Sequence, residues 1–390
     1  MIDSHQDFFD GLDFFDERHC ARLDDELKWA REQCPVVHTN FGGGMHIVTR
    51  YADLRTVAVH PEVFSSAQPG IVEVPVALPP LDLDPPLHGE FRGLLNNRLS
   101  RAALARYRPI LEKLADELID DFVQDGEVEF ISRFAIPFTA GTLAKVVLDD
   151  DNEERLQRGV DAVTAVSVQG TPESFAAVAE LATELMAARE SDRRDDFLQS
   201  VVEATVAGGR PLTQEERLGL VTVLLLGGLD TTRGTLGYIG QFLAEQPNLE
   251  ARLREPNWAN RNLDELLRLT STVSVMGRVV LQDNDLLGIP LVKGDRVAVH
   301  WRSGNRDAAK FDNPDQLDLD RFPNPHMAFG VGIHRCVGQH IARLQLEIGV
   351  NRLLARLTNF RIAPGTSIRS ASGVSIGAPE ELHLQFDQIS

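Results

Sequence analysis

Cysteine is scarce: Cys20, Cys34 and Cys336 are the only three in 390 residues. So odd and sparse a set argues against a disulfide framework and for a reducing compartment, the cytoplasm. Positive charge is also short. Lys and Arg number 39 against 58 Asp and Glu, a formal net charge of −19, which argues against non-specific binding to nucleic acid. No apolar run reaches the ~18 residues of a membrane span; the nearest, Leu218 to Leu229, is short and broken by glycine. The opening Met1-Ile2-Asp3-Ser4-His5 is polar and acidic, which predicts neither a signal peptide nor a membrane anchor. There is no Ser/Gly/Pro-rich linker, low-complexity block or internal repeat, so residues 1–390 are expected to form one domain.

What is present centres on Phe329-Gly330-Val331-Gly332-Ile333-His334-Arg335-Cys336-Val337-Gly338. The segment places one cysteine after a glycine-punctuated loop and just before an amphipathic helical run, Gln339 to Leu357. Free N–H groups and the positive end of the helix dipole would favour a thiolate there. Gly330 and Gly332 allow a tight turn, and Gly338 clears space one helical turn on for a flat ligand. A structural cysteine beside a glycine-rich turn would carry the same local pattern.

The remaining chain reads as mainly helical with small β-sheets. Helices are expected over 17–33, from Leu87 to Leu95 after Pro85-Pro86, from about Ala103 to Gln124 and from Phe175 to Glu190. The longest pattern starts at the capping box Thr213-Gln214-Glu215-Glu216 and runs to about Ala244. Inside it lies Gly227-Gly228-Leu229-Asp230-Thr231-Thr232, which is poor helix material. A helix weakened at its centre suggests a ligand lying against it, although Gly234, Gly237 and Gly240 also fit a close-packing seam. Asn262 to Thr270 reads as a short helix with Glu265 and Arg268 placed to pair. Strands are expected at 46–49, Val279 to Leu281, Leu286 to Ile289 and Arg296 to His300. The Pro-rich 64–86 and the polar 305–328 read as long loops.

Three of these segments, in their order and at their separations along the chain, resemble the cytochrome P450 family, and the resemblance spans nearly the whole chain. Phe329 to Gly338 is similar to its haem-binding loop, Gly227 to Thr231 to its oxygen-groove motif, and Glu265-Leu266-Leu267-Arg268 to its Glu-x-x-Arg pair. The start of the chain is like that of the soluble bacterial class, and Gly-Gly-Leu-Asp-Thr is most like its terpenoid-hydroxylating members. The resemblance implies an N-terminal β-containing lobe and a larger helical lobe, with haem b between a long distal helix and the cysteine loop. Cys336 would be the axial thiolate ligand of the haem iron, with Phe329 and Gly338 beside it. His88, Arg92, Arg278 and His334 would hold the haem propionates. Asp230 and Thr231 would be the acid–alcohol pair that delivers protons to O2 chemistry, with register favouring Thr231 over Thr232. Glu265, Arg268 and Arg321 would form a structural ion-pair cluster.

The activity so implied is a monooxygenase reaction, incorporation of one oxygen atom from O2 into an organic substrate. The chain carries no Rossmann glycine fingerprint and too few cysteines for an iron–sulfur cluster, so electrons are expected from a separate ferredoxin and its reductase. Arg98, Arg101, Arg106, Arg108 and Arg343 could form a cationic docking face, with Lys113 close by. A peroxide-driven or isomerising haem-thiolate enzyme is an alternative, against which the Asp230–Thr231 pair counts; a haem sensor without turnover is another. By resemblance the substrate pocket draws on Leu226, Val275, Met276 and Val374. Phe64 to Asp84 contains no Lys, Arg, His, Tyr or Trp, which favours a largely apolar substrate such as a terpenoid, with a fatty acid or other natural product still open.

Overall fold

A computed structural model describes residues 4–148, 152–169, 171–206, 208–246, 248–372 and 378–389. Its axis is the 32-residue helix Gln214–Glu245, about 48 Å long at 1.5 Å per residue. The capping box forms as the sequence predicts. Glu216 N donates to Thr213 Oγ1 at 3.1 Å and Thr213 N donates to the Glu216 carboxylate at 2.7 Å, satisfying two otherwise orphaned donors.

The long helix is wrapped by the helices Pro172–Ser191 and Glu153–Gln169 and the run Ile131–Leu148. The last two are helices the sequence reading passes over. Ile131–Leu148 is an α-helical centre, Ile136–Leu143, flanked by π-type turns. Its 18 residues are long and apolar enough to cross a bilayer by length and composition, yet 67% of them are buried inside the protein. Arg133 and Lys145 interrupt the apolar run, which is why it does not show in the sequence. Gly234 and Gly237 do form a packing seam: an added Cβ would stand 2.7 Å from Thr272 and 2.9 Å from Ile131. The helix Gln339–Arg356, which follows the cysteine, meets the long helix where Gly349 seats against Leu236 and Phe138.

Two expected elements differ. The helix expected over 103–124 is broken into Arg101–Leu104, a 3-10 turn Ala105–Tyr107, and Arg108–Asp120. Pro109 enters at the first turn of the last piece, where its missing N–H costs nothing, so the chain restarts a helix there. Leu286 to Ile289 is a turn rather than a strand, closed by Gly288 at φ +76 and by the Asn284–Leu291 bridge.

A five-stranded sheet lies to one side, in the order Val36–Thr39, Met45–Val48, Arg296–His300, Val275–Val280, Phe64–Ser65. Only the Met45–Val48 and Arg296–His300 pair is parallel. A three-stranded sheet joins Glu127–Glu129, His383–Gln388 and Leu357–Ile362. The main core surrounds the long helix, and smaller apolar clusters lie on the two faces of the five-stranded sheet.

Candidate active site

The cysteine loop is shaped by backbone hydrogen bonds and one obligatory glycine. Gly330 N donates to Met327 O at 2.8 Å, and Cys336 N donates to Phe329 O at 2.8 Å. Gly332 has φ +76, and a Cβ there would stand 2.1 Å from Ala58 O, so no side chain fits. Gly338 is different. Its Cβ would sit in ordinary contact, 3.7 Å from Cys336 Sγ, so steric fit within the protein does not require a glycine there.

Gly338 caps the helix Gln339–Arg356. The expectation of a thiolate poised by the loop alone is not met. Burial pushes the Cys336 thiol up, and this outweighs the N–H groups of Gly338 and Gln339 and the charges of Arg92 and Arg335, which pull it down. Iron coordination would deprotonate the sulfur outright, as metal binding does to a thiol.

The four expected propionate partners come together. His88 and His334 meet edge to face with ring centroids 4.4 Å apart. Each has a buried Nε2 with no hydrogen-bond partner among the described residues. Burial, then Arg278, His88 and Arg92, push His334 down to about 3. Burial also lowers Arg278 to about 10, against the pull of Asp84, and lowers His88 and Arg92. Arg92 Nη2 donates to Arg335 O, and Arg278 Nη1 donates to Gly277 O at 2.6 Å. Two orphaned imidazole nitrogens, the buried guanidinium of Arg278 and the half-buried one of Arg92 form a donor set for a dianion, so these residues fit a haem with its two propionates.

The centre of the long helix presents an open face. A side chain at Gly227 would meet nothing within 4 Å, and Thr231, one turn on, donates from Oγ1 to Gly227 O at 2.9 Å. This is the back-bonding the sequence suggests. Thr232 is buried, so Thr231 is the hydroxyl on the open side. Asp230 is 5% exposed and accepts from Arg233 Nε at 2.9 Å and from Arg233 Nη2. Arg233 also donates to Pro379 O at 3.3 Å. The sequence reading overlooks Arg233, although its i,i+3 spacing from Asp230 is a visible signal.

Glu265 and Arg268 form a buried pair, with Nε to Oε2 and Nη2 to Oε1 both at 2.8 Å. Arg268 is 0% exposed and donates to Asn305, Pro314 and Gln316 carbonyls. Arg321 donates to Glu265 Oε2 at 3.1 Å. The cluster thereby pins the 305–324 loop that leads to the cysteine.

The 64–86 loop is closed at its base by Asp84. Ser65 Oγ donates to Oδ2 at 2.5 Å and Ser66 N donates to Oδ1 at 3.0 Å. Gly277 N donates to Pro69 O at 2.7 Å, laying the loop along the strand Val275–Val280. Gly219 seats it on the long helix, where a Cβ would stand 2.5 Å from Ala77 O. Leu226 is half-buried against the main core, Val275 is buried in the cluster on one face of the five-stranded sheet, and Met276 is half-buried against the cluster on the other face, so Val275 and Met276 do not share a wall; Val374 lies outside the described residues. Asp82 is a polar residue that the apolar reading passes over. Its Oδ2 accepts from Leu78 N at 2.7 Å, and its buried Oδ1 has no partner among the described residues.

The expected cationic face is partly neutralised. Arg108 pairs with Glu347 at 2.8 Å, Arg343 with Asp264 at 2.6 Å, Lys113 with Glu117 at 3.4 Å, and Arg98 loosely with Asp195 at 3.8 Å. Arg106 donates to Tyr107 Oη at 2.9 Å. Arg101 has no acidic partner among the described residues, and neither does Arg335, which the sequence reading omits from this face.

Comparison with known proteins places the chain in a family. A family model described as Cytochrome P450 matches residues 172–256 and 259–379, more than half of the chain. A probable cytochrome P450 127A1 of Sinorhizobium fredii is 35% identical over 338 residues, 85% of this chain and 81% of that one. A steroid C26-monooxygenase of Mycobacterium tuberculosis is 31% identical, covering 87% of both chains. Linalool 8-monooxygenase of Pseudomonas putida is 29% identical, covering 82% of this chain and 85% of that one. Among solved structures, a Mycobacterium marinum cytochrome P450 in complex with pseudoionone superposes with TM-score 0.85 at 25% identity, over 98% of this chain and 97% of that one.

Proposed function

From the premise that this chain belongs to the cytochrome P450 family and is a monooxygenase with haem b as cofactor and O2 as co-substrate, we propose that it hydroxylates a small apolar isoprenoid. Cys336 would ligate the haem iron, and His88, Arg92, Arg278 and His334 would take its propionates. The haem, when bound, supplies oxygen activation and C–H oxidation; the protein supplies position and protons. Thr231 Oγ1 holds a proton at the open face, and the Asp230 carboxylate, one residue away, is the group that would replenish it. The open Gly227 face with the Thr231 hydroxyl one turn on is the observation that carries this reading.

The apolar character of the Val-rich 64–84 loop and of Leu226, next to Gly227 on the long helix, supports an apolar substrate. Relatives named for linalool and for a steroid, and a structural neighbour holding pseudoionone, support an isoprenoid. We infer that the chain works as one domain in the cytoplasm, with electrons arriving from a separate ferredoxin and its reductase.

The test is a spectroscopic screen. The reduced protein with CO should give the red-shifted Soret band of a thiolate-ligated haem. Acyclic and monocyclic terpenoids of about ten to fifteen carbons should then produce a low-to-high-spin shift. A shift given by fatty acids and by no isoprenoid would overturn the substrate reading, and a CO band without the red shift would overturn the axial role of Cys336.

A further inference from the structure

We propose that Phe322 is the apolar anchor on which a small acidic electron-carrier protein docks, beside the guanidiniums of Arg101, Arg335 and Arg343. The inference rests on the reading above that a separate ferredoxin supplies electrons.

Phe322 is 94% exposed, while the next most exposed large apolar side chain among the described residues, Val292, is at 54%. Scattered half-exposed apolar residues are ordinary; a phenyl ring held almost wholly in water is not. Nor does it sit on a loose loop. Arg321 Nε and Asn324 Nδ2, the residues flanking Phe322-Pro323, both donate to Glu265 Oε2, at 3.1 and 2.9 Å. The two feet of the tip therefore share one buried carboxylate oxygen, and Pro323 fixes its own φ between them. A rigid aromatic loses little conformational freedom on binding, which is why such residues serve as interface anchors.

The next residue on the same helix ties this tip to the cysteine loop. Asp264 accepts from Arg343 Nη2 at 2.6 Å and faces His326 Nε2 at 3.3 Å. The Arg343 guanidinium lies 5.2 Å over the ring of Phe329, whose carbonyl receives the Cys336 N–H. The helix Arg101–Leu104 packs on the helix Gln339–Arg356, which carries His340 and Arg343, and burial and then the charges of Arg343, Arg101 and Arg335 lower His340. Arg101 and Arg335 are exposed and have no acidic partner among the described residues. Of the acids nearest the tip in sequence, Asp320 is paired with Arg252 at 2.5 Å and Asp318 stands 4.0 Å from Arg321. A fixed apolar knob beside unpaired cations matches the core-and-rim anatomy of a protein interface. On a chain of net charge −19, this local sign selects an acidic partner over a second copy of the same chain.

The experiment titrates the holoenzyme with an acidic plant-type [2Fe–2S] ferredoxin. It measures Kd for the oxidised carrier and, under CO, the reduction rate by the reduced carrier against that by dithionite. Phe322→Ser should raise Kd about tenfold, the scale expected for losing a buried aromatic anchor. Its salt dependence, haem content, melting temperature and dithionite rate should stay those of the wild type. Arg101→Glu should raise Kd and flatten its salt dependence. An unchanged Kd for Phe322→Ser beside a weakened Arg101→Glu overturns the anchor and leaves the docking face standing. Concentration-dependent dimerisation that Phe322→Ser abolishes, with ferredoxin Kd unchanged, assigns the tip to a second copy and also overturns it. Failure of the wild type to bind, or no effect of either variant, overturns the ferredoxin reading itself.

Discussion

Arg233 holds Asp230 inside the long helix: Nε and Nη2 both donate to Asp230 Oδ1, and both side chains are under a tenth exposed. The carboxylate proposed to replenish protons is thus tied to a neighbour one turn on rather than left facing Thr231. Breaking a buried pair from one side leaves an uncompensated charge, at about 3–5 kcal/mol. Asp230→Asn and Arg233→Gln should each lower stability strongly, and the double variant should lose much less than the sum. Chemical denaturation of the four proteins gives the coupling energy; additive losses would mean the pair does not act as a unit.

Thr231 offers a cleaner probe of proton delivery, because among the described residues its Oγ1 bonds only to Gly227 O, at 2.9 Å, and no charge is stranded when it is removed. Thr231→Val should change stability by less than about 1 kcal/mol while product formation falls at least ~100-fold, the usual scale of a lost proton-transfer group. Electron donor consumption should continue, now yielding peroxide. Product and donor consumption falling in equal proportion would place Thr231 outside proton delivery.

Gly332→Ala tests the cysteine loop. Its φ of +76 and the 2.1 Å approach to Ala58 O leave no room for a methyl group. The loop must shift, and Cys336 and His334 shift with it. Purified protein should contain less than half the haem of the wild type, read as the ratio of Soret to protein absorbance. The same change at Gly338, where a Cβ would make only 3.7 Å contacts within the protein, separates steric demand by the chain from demand by the haem. Haem loss in Gly338→Ala would assign that glycine to the cofactor.

The parts of this site that were legible in the sequence are those written in local spacing. The capping box at Thr213 fixed the start of the long helix, Glu265 and Arg268 sat one turn apart, and glycine and proline marked the cysteine loop and the helix at Leu87. What stayed hidden depends on long-range contact. Asp84 closes a loop 19 residues back at Ser65, and Asp264 reaches Arg343 from another helix. The thiol of Cys336 illustrates the limit in energetic terms. Dipole and amide effects are readable from its position before a helix, but burial, which wins, is a property of the assembled fold. Ile131–Leu148 was missed for the opposite reason: its charges hide a run whose apolar side chains the fold buries.

The Asp264–Glu265 step predicts an acid limb in stability. Burial pushes both carboxyl groups up, but their partners outweigh it. His326 and Arg343 hold Asp264 at about 2, from 3.8, and Arg268, the Asp318 N–H and Arg321 hold Glu265 below its ordinary value. With folded values depressed, the unfolded chain takes up protons first as pH falls. The stabilisation is therefore complete above the unfolded carboxylate range, about pH 4.5, and is lost as pH drops through the folded values. Tm should be nearly flat from pH 7 to 5 on this account and fall below about 4.5. In Asp264→Asn the acid limb should be shallower by only about 1 kcal/mol, since that side chain is 41% exposed and solvent screens it. Glu265→Gln should instead destabilise at every pH, by about 3–5 kcal/mol, because it strands Arg268 at 0% exposure. Thermal melts of the three proteins from pH 3 to 7 decide it. An acid limb in Asp264→Asn that superimposes on the wild type would remove that carboxylate from the account, and a Glu265→Gln deficit that vanishes at pH 7 would show the cluster to be screened rather than buried.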